Sequence, residues 1–341
     1  MENTVASAGG TPQVDEAQRA LEIERTRARR RRFIEQLQGE GLLAVLVVVF
    51  IISWLSSPFF FTVANLLTAA SVVSILGIMA VAETLIVISG EIDISIGSNM
   101  AATSVLMGIL VQHGMEVWAA ALVGLIFAAF VGAVNGVITV YFKINSLVTT
   151  LGTYSIFLGL AYAISNTTTT SIGGQGFSFL GSGQIWQIPF PVVIFVVIWI
   201  VGAYLGRFTS IGRHIYATGD SYDAAVRAGI RADRLRIGLF IAMGLSAGLA
   251  GIVVTSELGA SAPQIGDPYL LAVVTAVILG GASLRGGRGT MLGTLVAVAI
   301  LGVLQNVFAL LQFSTFLEDT VLGVLLIIAV LTDQLVRRTE R

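Results

Sequence analysis

Cysteine is absent from the 341 residues, which removes disulfides and thiolate metal sites together. Histidine occurs only at His113 and His214, far apart in sequence, so no histidine metal site is expected within the chain. The one lysine, Lys143, follows Phe142, so there is no G-x-x-x-x-G-K-[ST] phosphate loop. If ATP drives this protein, another chain binds it. No Ser-His-Asp set, metal cluster or paired intramembrane acids support an enzyme. Charged residues make up 11% of the chain, against roughly 25% in a soluble domain.

Apolar residues fill the space that charge leaves. They make up 55% of the chain, and mean hydropathy is +0.90. From Leu42 to Val336 the sequence is a series of apolar stretches broken by short polar connectors. Spans of about 20 residues plus connectors make about ten helices fit this distance. A β-barrel is disfavoured because the apolar runs are continuous and do not alternate with period two. The pattern predicts spans near 42–57, 64–88, 94–111, 118–141, 146–165, 189–206, 236–256, 269–282, 290–312 and 319–336. The fold class is thus an all-α polytopic membrane protein.

Arginine orients these spans. With the N-terminus inside, all 19 Lys and Arg fall on the inner side: the N-terminal segment, Lys143, the 207–236 connector, Arg285 and Arg288, and the C-terminal Arg337, Arg338 and Arg341. The opposite connectors hold Glu116, Asp267, Glu318 and Asp319 and no base. This is the positive-inside rule without an exception, and it predicts an even number of spans with both termini cytoplasmic. The domains read as a charged cytoplasmic arm over 1–41, a transmembrane domain over 42–336 and a short tail over 337–341. The arm lacks the form of a cleavable signal. Residues 14–38 read as a charged helix, either resting on anionic membrane lipid through Arg29–Arg32 or forming a tail whose charge sets topology.

The chain reads as two halves, about 42–188 and 189–336. Ile88-Ser-Gly-Glu-Ile-Asp-Ile-Ser-Ile-Gly-Ser98 and Leu279-Gly-Gly-Ala-Ser-Leu-Arg-Gly-Gly-Arg-Gly-Thr290 each follow one apolar helix and precede another. If spans one to five match six to ten, the odd number per half makes the repeat inverted, with a substrate path at the interface. Gly132/Gly136, Gly202/Gly206, Gly244/Gly248 and Gly289/Gly293 have the small-xxx-small spacing that lets helices approach closely, for sliding or for static packing.

The longest internal connector on the basic side, 207–236, holds the most specific local pattern. Asp220 or Ser221 can cap a helix from Tyr222 to Ala228, and Gly229 can end it. Asp223, Ala224, Ala225 and Arg227 would give it a small-residue face with charge at its ends. Such a projecting helix suits docking into a partner; the other reading is a surface loop whose arginines set topology. Within the spans, Asn65, Asn135, Gln305 and Asn306 could line a substrate path or make interhelical hydrogen bonds. Glu83 is an acid inside a span, read either as a gate or substrate contact or as a hydrogen-bonded packing residue. Asp93, Ser95 or Ser98 could cap the helix that follows.

Asp223-Ala-Ala-x-x-x-Gly229 resembles the E-A-A-x-x-x-G loop of bacterial ABC importers, with Asp in place of Glu. Gly90-Glu-Ile-Asp-Ile-Ser-Ile-Gly-Ser98 resembles the G-G-I-D-[LI]-S-[VI]-G-S motif of the ribose-type (branched monosaccharide) permease family, with Glu91 departing from the usual second glycine. Leu279–Thr290, with Gly280, Gly281, Gly286 and Gly287, resembles that family's G-G-T-S-L-x-G-G-x-G-T segment. Asn135-Gly136 and Thr150-Leu-Gly-Thr153 also match family positions. The resemblance runs from about residue 42 to the C-terminus. It implies the ABC importer permease fold, multi-pass in a bacterial plasma (inner) membrane. The motif residues Gly90, Asp93, Ser95, Gly97 and Ser98 would be important to the family's function, and the coupling helix would fall on Asp220–Gly229. The implied partners are a second permease subunit, two ATP-binding subunits and an extracytoplasmic sugar-binding protein; ATP and Mg would be bound by the ATPase, with no cofactor in this chain and no nucleic acid. The implied cargo is a monosaccharide such as ribose, xylose or rhamnose, or a furanosyl signal molecule. An ion-coupled secondary transporter is the competing class.

Overall fold

Long apolar runs, most with a polar residue at the start, dictate the helices. In the computed structural model, which describes residues 41–338, α1 is Gly41–Ser56. Next come α2 Val63–Ile88, α3 Ile96–Gln112, α4 Val117–Tyr141 and α5 Ser146–Ser165. Thr62, Glu116 and Asn145 cap α2, α4 and α5, each side chain accepting a backbone N–H of the first turn. A connector then carries β1 (Thr170–Ser171), the short α6 (Phe179–Ser182) and a hairpin of β2 (Gln184–Ile185) with β3 (Ile188–Pro189). The second series is α7 Phe190–Phe208, α8 Ser210–Asp220, α9 Tyr222–Arg227, α10 Ala232–Leu258, β4 Ala260–Ser261, α11 Asp267–Leu279, α12 Met291–Leu310 and α13 Thr315–Arg338. The charged arm and the final residues of the tail lie outside the described residues.

Each predicted span coincides with one helix. Among the described residues, seven helices are long and apolar enough to cross a membrane, and three apolar helices (α1, α3 and α11) are shorter. Leu122, Ile126 and Phe130 make an exposed stripe along α4, as a face turned to lipid should. α2 is the central helix, buried from Ser74 to Ile88 and packed by α7, α10, α11 and α12.

The two halves show in the packing. α3 packs on α5 as α11 packs on α13, α10 on α4 as α2 on α12, and α10 on α3 as α2 on α11. Exchanging α2–α5 for α10–α13 maps one set onto the other, and the five-span offset makes the halves run in opposite directions. The two resembling motifs are not the counterparts in this exchange, because six spans separate them and they meet at one end of the bundle. The counterpart of the 89–95 segment is instead 259–266.

Each of these segments is a helix break. α3 has 17 residues and α11 has 13, giving lengths of about 25 and 20 Å against a hydrocarbon core of about 30 Å. The missing length is extended backbone. The two short helices begin where Gly97 meets Gly266: a Cβ on Gly266 would lie 1.9 Å from the Gly97 carbonyl oxygen. Close approach also explains the α4–α10 seam, where a Cβ on Gly132 would lie 2.2 Å from the Phe240 carbonyl oxygen and one on Gly244 would lie 2.3 Å from that of Ala128. These glycines are closely packed contacts.

Candidate functional site

Extended backbone within a bundle of apolar helices must find partners for its N–H and C=O groups. At the α2–α3 break they come from side chains. Ile92 donates its N–H to Ser146 Oγ at 3.2 Å, and Ile94 donates to Thr150 Oγ1 at 3.0 Å. Two residues of extended chain advance about 6.6 Å and four residues of helix about 6 Å, so hydroxyls at i and i+4 of α5 match alternate N–H groups of the segment. Asp93 donates its N–H to Glu83 Oε1 at 3.2 Å. Its own Oδ1 accepts from the Ser95 backbone and hydroxyl at 2.8 and 2.6 Å. Asn135 of α4 donates to Ser95 Oγ at 2.8 Å and to Asp93 Oδ2 at 3.4 Å, and accepts from Thr153 Oγ1 at 2.7 Å. Glu83, Asp93, Ser95 and Asn135 are all buried. Glu83 Oε2 is buried with no hydrogen-bond partner among the described residues.

The capping expectation for this segment is corrected. Ser95 takes the N-cap position of α3, but no side chain caps the helix. Asp93 instead closes a local turn on the Ser95 N–H, and Ser98 donates to the Ser95 carbonyl at 2.9 Å. The clustering of carboxylates and hydroxyls here follows from the helix break, which burial and hydrogen-bond satisfaction then force into one network.

Both motif stretches meet next to this network. Gly287 donates its N–H to the Ile88 carbonyl at 2.8 Å. A Cβ on Gly286 would lie 2.8 Å from Gly90 Cα, and one on Gly219, near the end of α8, would lie 1.8 Å from the Ile88 carbonyl oxygen and 2.5 Å from Gly287 N. Gly90, Gly286 and Gly287 have positive φ, so glycine serves both the turn and the contact. Gly281 ends α11 with positive φ, and a Cβ on Gly280 would lie 2.6 Å from Thr294 N. Tyr216 of α8 donates to the Gly289 carbonyl at 2.8 Å. Burial raises the Tyr216 hydroxyl above its ordinary pKa.

α9 follows directly. Ser221 is its N-cap, accepting the Ala224 N–H, and Gly229 lies beyond the end with φ +84°. Asp220 belongs to the last turn of α8, a helix not anticipated in this connector. Tyr222, Asp223, Ala224, Val226 and Arg227 are exposed, whereas Ala225 is buried against the chain. The outward face of α9 is therefore mixed, and Ala225 is a packing residue of it. Tyr222 donates its hydroxyl to Asp233 Oδ1 at 2.5 Å. That hydrogen bond, with partial burial behind it, keeps the phenol above its ordinary pKa. All basic residues from Lys143 to Arg288 occupy connectors or helix ends at this end of the bundle.

The remaining candidates lie apart. Asn65 and Asn306 exchange side-chain amide hydrogen bonds, each 2.9 Å, joining the start of α2 to α12. Gln305 lies beside Asn306 on α12, within hydrogen-bonding reach of Glu318. These three belong to a separate polar layer from Asn135. Residues not singled out in the sequence include Ser146, Gly219, Arg236 and Gly266. Ser146 carried a signal in hindsight, at i−4 from Thr150; the others have none in local pattern.

Comparison with known proteins gives one consistent result. Residues 65–330 match the family described as "Branched-chain amino acid transport system / permease component". The ribose import permease protein RbsC of Escherichia coli (strain K12) is 34% identical over 301 residues, covering 87% of this chain and 94% of that one. RbsC of Bacillus subtilis (strain 168) is 34% identical over 311 residues, covering 91% and 97%. The L-arabinose ABC transporter permease protein AraH of Azospirillum brasilense is 33% identical over 305 residues, covering 89% and 90%.

Proposed function

This chain belongs to the branched-chain amino acid transport system permease-component family, and from that premise we propose that it is the membrane-spanning subunit of an ATP-driven monosaccharide importer. Its relatives are named as a ribose import permease and an L-arabinose ABC transporter permease, so a pentose is the favoured cargo. Neutral sugars need hydroxyl and amide partners, not a charge clamp, and the buried polar groups of this bundle are mostly Ser, Thr and Asn. The protein sits in a bacterial inner membrane with both termini cytoplasmic, the reading that the arginine distribution supports. Separate ATPase subunits bind ATP and Mg, a second permease subunit completes the path, and an extracytoplasmic binding protein delivers the sugar.

The observation that carries this reading is α9. It is a capped helix exposed at the basic end of the bundle, and it begins three residues after Gly219, which touches both motif loops. A partner that grips α9 therefore pulls on the α2–α3 break and on the 280–290 loop together. The two conformations of such a permease differ in how these loops pack, and ATP binding in the partner biases one of them.

The test is Ala224→Arg, at an exposed position of α9. The variant is expected to reach the membrane at the parent level, to lose a co-purifying ATPase, and to lower uptake of labelled D-ribose and L-arabinose by about tenfold or more, a shift of ~1.4 kcal/mol. An ATPase that still co-purifies with the variant at the parent ratio would remove α9 as the dock.

A further inference from the structure

One charged side chain joins α9, the start of α10 and the α2–α3 break. Arg236, in the second turn of α10, pairs its Nη1 with Glu91 Oε1 at 2.6 Å. Its Nη2 donates to the Ser89 carbonyl at 3.1 Å. The guanidinium carbon lies 4.8 Å from the centroid of the Tyr222 ring of α9. Tyr222 in turn is hydrogen-bonded to Asp233, one turn earlier on α10. The paired side chains retain 17% and 11% of their exposure, so solvent and salt screen this pair much less than a surface one. Glu91 stands two residues before Asp93, whose N–H is held by Glu83.

We infer that Glu91, Arg236 and Tyr222 form a latch that carries displacement of α9 into the 89–95 segment. The inference rests on the reading of α9 as the ATPase dock, and it assigns positioning roles to Glu91 and Arg236, which lie outside α9, and to Tyr222, the first residue of α9. Arginine is suited to the task because its planar fork holds a carboxylate and a carbonyl at one edge while its face stacks on a ring. A lysine keeps the charge but loses the fork. The contact is directional: if Tyr222 moves with α9, the guanidinium must either follow it, pulling Ser89 and Glu91, or give up the ring. Among the described residues the buried Arg236 Nε has no acceptor, so the observed packing leaves one donor of the fork available to a second arrangement. Glu91 is also where the sequence departs from the glycine usual in the motif it resembles.

The absence of cysteine makes the test direct. Ile94→Cys places a single thiol in the 89–95 segment of the tagged protein, purified into nanodiscs with its co-purifying ATPase. Maleimide labelling of this thiol is timed without nucleotide and with ATP plus vanadate. The parent rate is expected to change by about threefold or more between the two conditions, the size of a modest population shift. Adding Glu91→Gln or Arg236→Lys should abolish that change while the ATPase still co-purifies at the parent ratio. A nucleotide response that survives in both variants overturns the latch. So does a parent thiol that ignores nucleotide, or a variant that loses the ATPase, since the pair then only shapes α9. Failure of the docking reading is seen separately, as an ATPase retained by Ala224→Arg; if no ATPase accompanies the parent, both readings fall.

Discussion

At the α2–α3 break the extended backbone is held by side chains, whereas at the α10–α11 break it is held largely by another piece of backbone. The 89–95 segment leans on Ser146 and Thr150 of α5 and on Glu83 of α2, with Asn135 of α4 bridging Asp93 and Ser95. Its counterpart at 259–266 forms a short antiparallel pair, β4 with β1, in register Thr170 to Ser261 and Ser171 to Ala260, and Gly259 accepts the Ile172 N–H at 2.8 Å. Both arrangements answer the same demand, that buried backbone groups be paired. They differ in what they ask of the sequence. Side-chain partners must be particular residues at particular spacings, and hydroxyls can exchange partners when a neighbouring element shifts. Strand pairing is nearly indifferent to side-chain identity and holds one register. The break beside α9 is built from exchangeable contacts, and the one at the opposite end is built as a fixed clasp.

The sharpest way to break the comparison is at the point the two breaks share. Gly266→Val would drive side-chain carbons into the Gly97 backbone, an overlap that helix rotation cannot relieve. Loss of the folded monodisperse protein is expected, a cost above the ~1–3 kcal/mol of ordinary overpacking, read by size-exclusion chromatography in detergent. Next in size is Asn135→Leu, which removes the amide shared by Asp93, Ser95 and Thr153. Leaving those buried groups short of partners should cost about 2–3 kcal/mol, seen as a lower unfolding midpoint without loss of the fold. The smallest effects sharpen the contrast. Thr150→Val strands the Ile94 N–H and should cost about 1–2 kcal/mol, while Thr170→Val leaves the β1–β4 backbone pairing intact and should cost less than about 0.5 kcal/mol. Equal midpoints for these two variants would erase the distinction drawn here between the breaks.

The side-chain-held break was legible for the same reason that it is sensitive to substitution. Asp93, Ser95, Asn135, Thr150 and Thr153 stand out as polar residues in an apolar sequence, although their joint purpose, pairing one extended segment, needs the fold. The clasp at 259–266 gave no such signal, because backbone hydrogen bonds leave no mark on residue type. α8 was missed because its polar, glycine-containing sequence over Ser210–Asp220 resembles a surface connector, and its helix is secured by the Thr209 cap and by Tyr216 reaching Gly289. The inward turn of Ala225 was equally hidden, since a six-residue helix of small residues has no strong apolar stripe to declare its buried side.

The sequence by itself determined the number and approximate position of the ten apolar helices, the segregation of basic residues into alternate connectors, and the stop of α9 at Gly229. These depend on hydropathy, charge and capping, which act over one span or one turn. Only the tertiary structure decided that the two motif loops are contact partners at one end of the bundle, that Gly97 faces Gly266 across the two breaks, and that Arg236 bridges Glu91 and Tyr222. Those pairings join residues 100 or more positions apart in several cases, and what selects them is the need of buried backbone and charge for partners, which is resolved only when the helices pack.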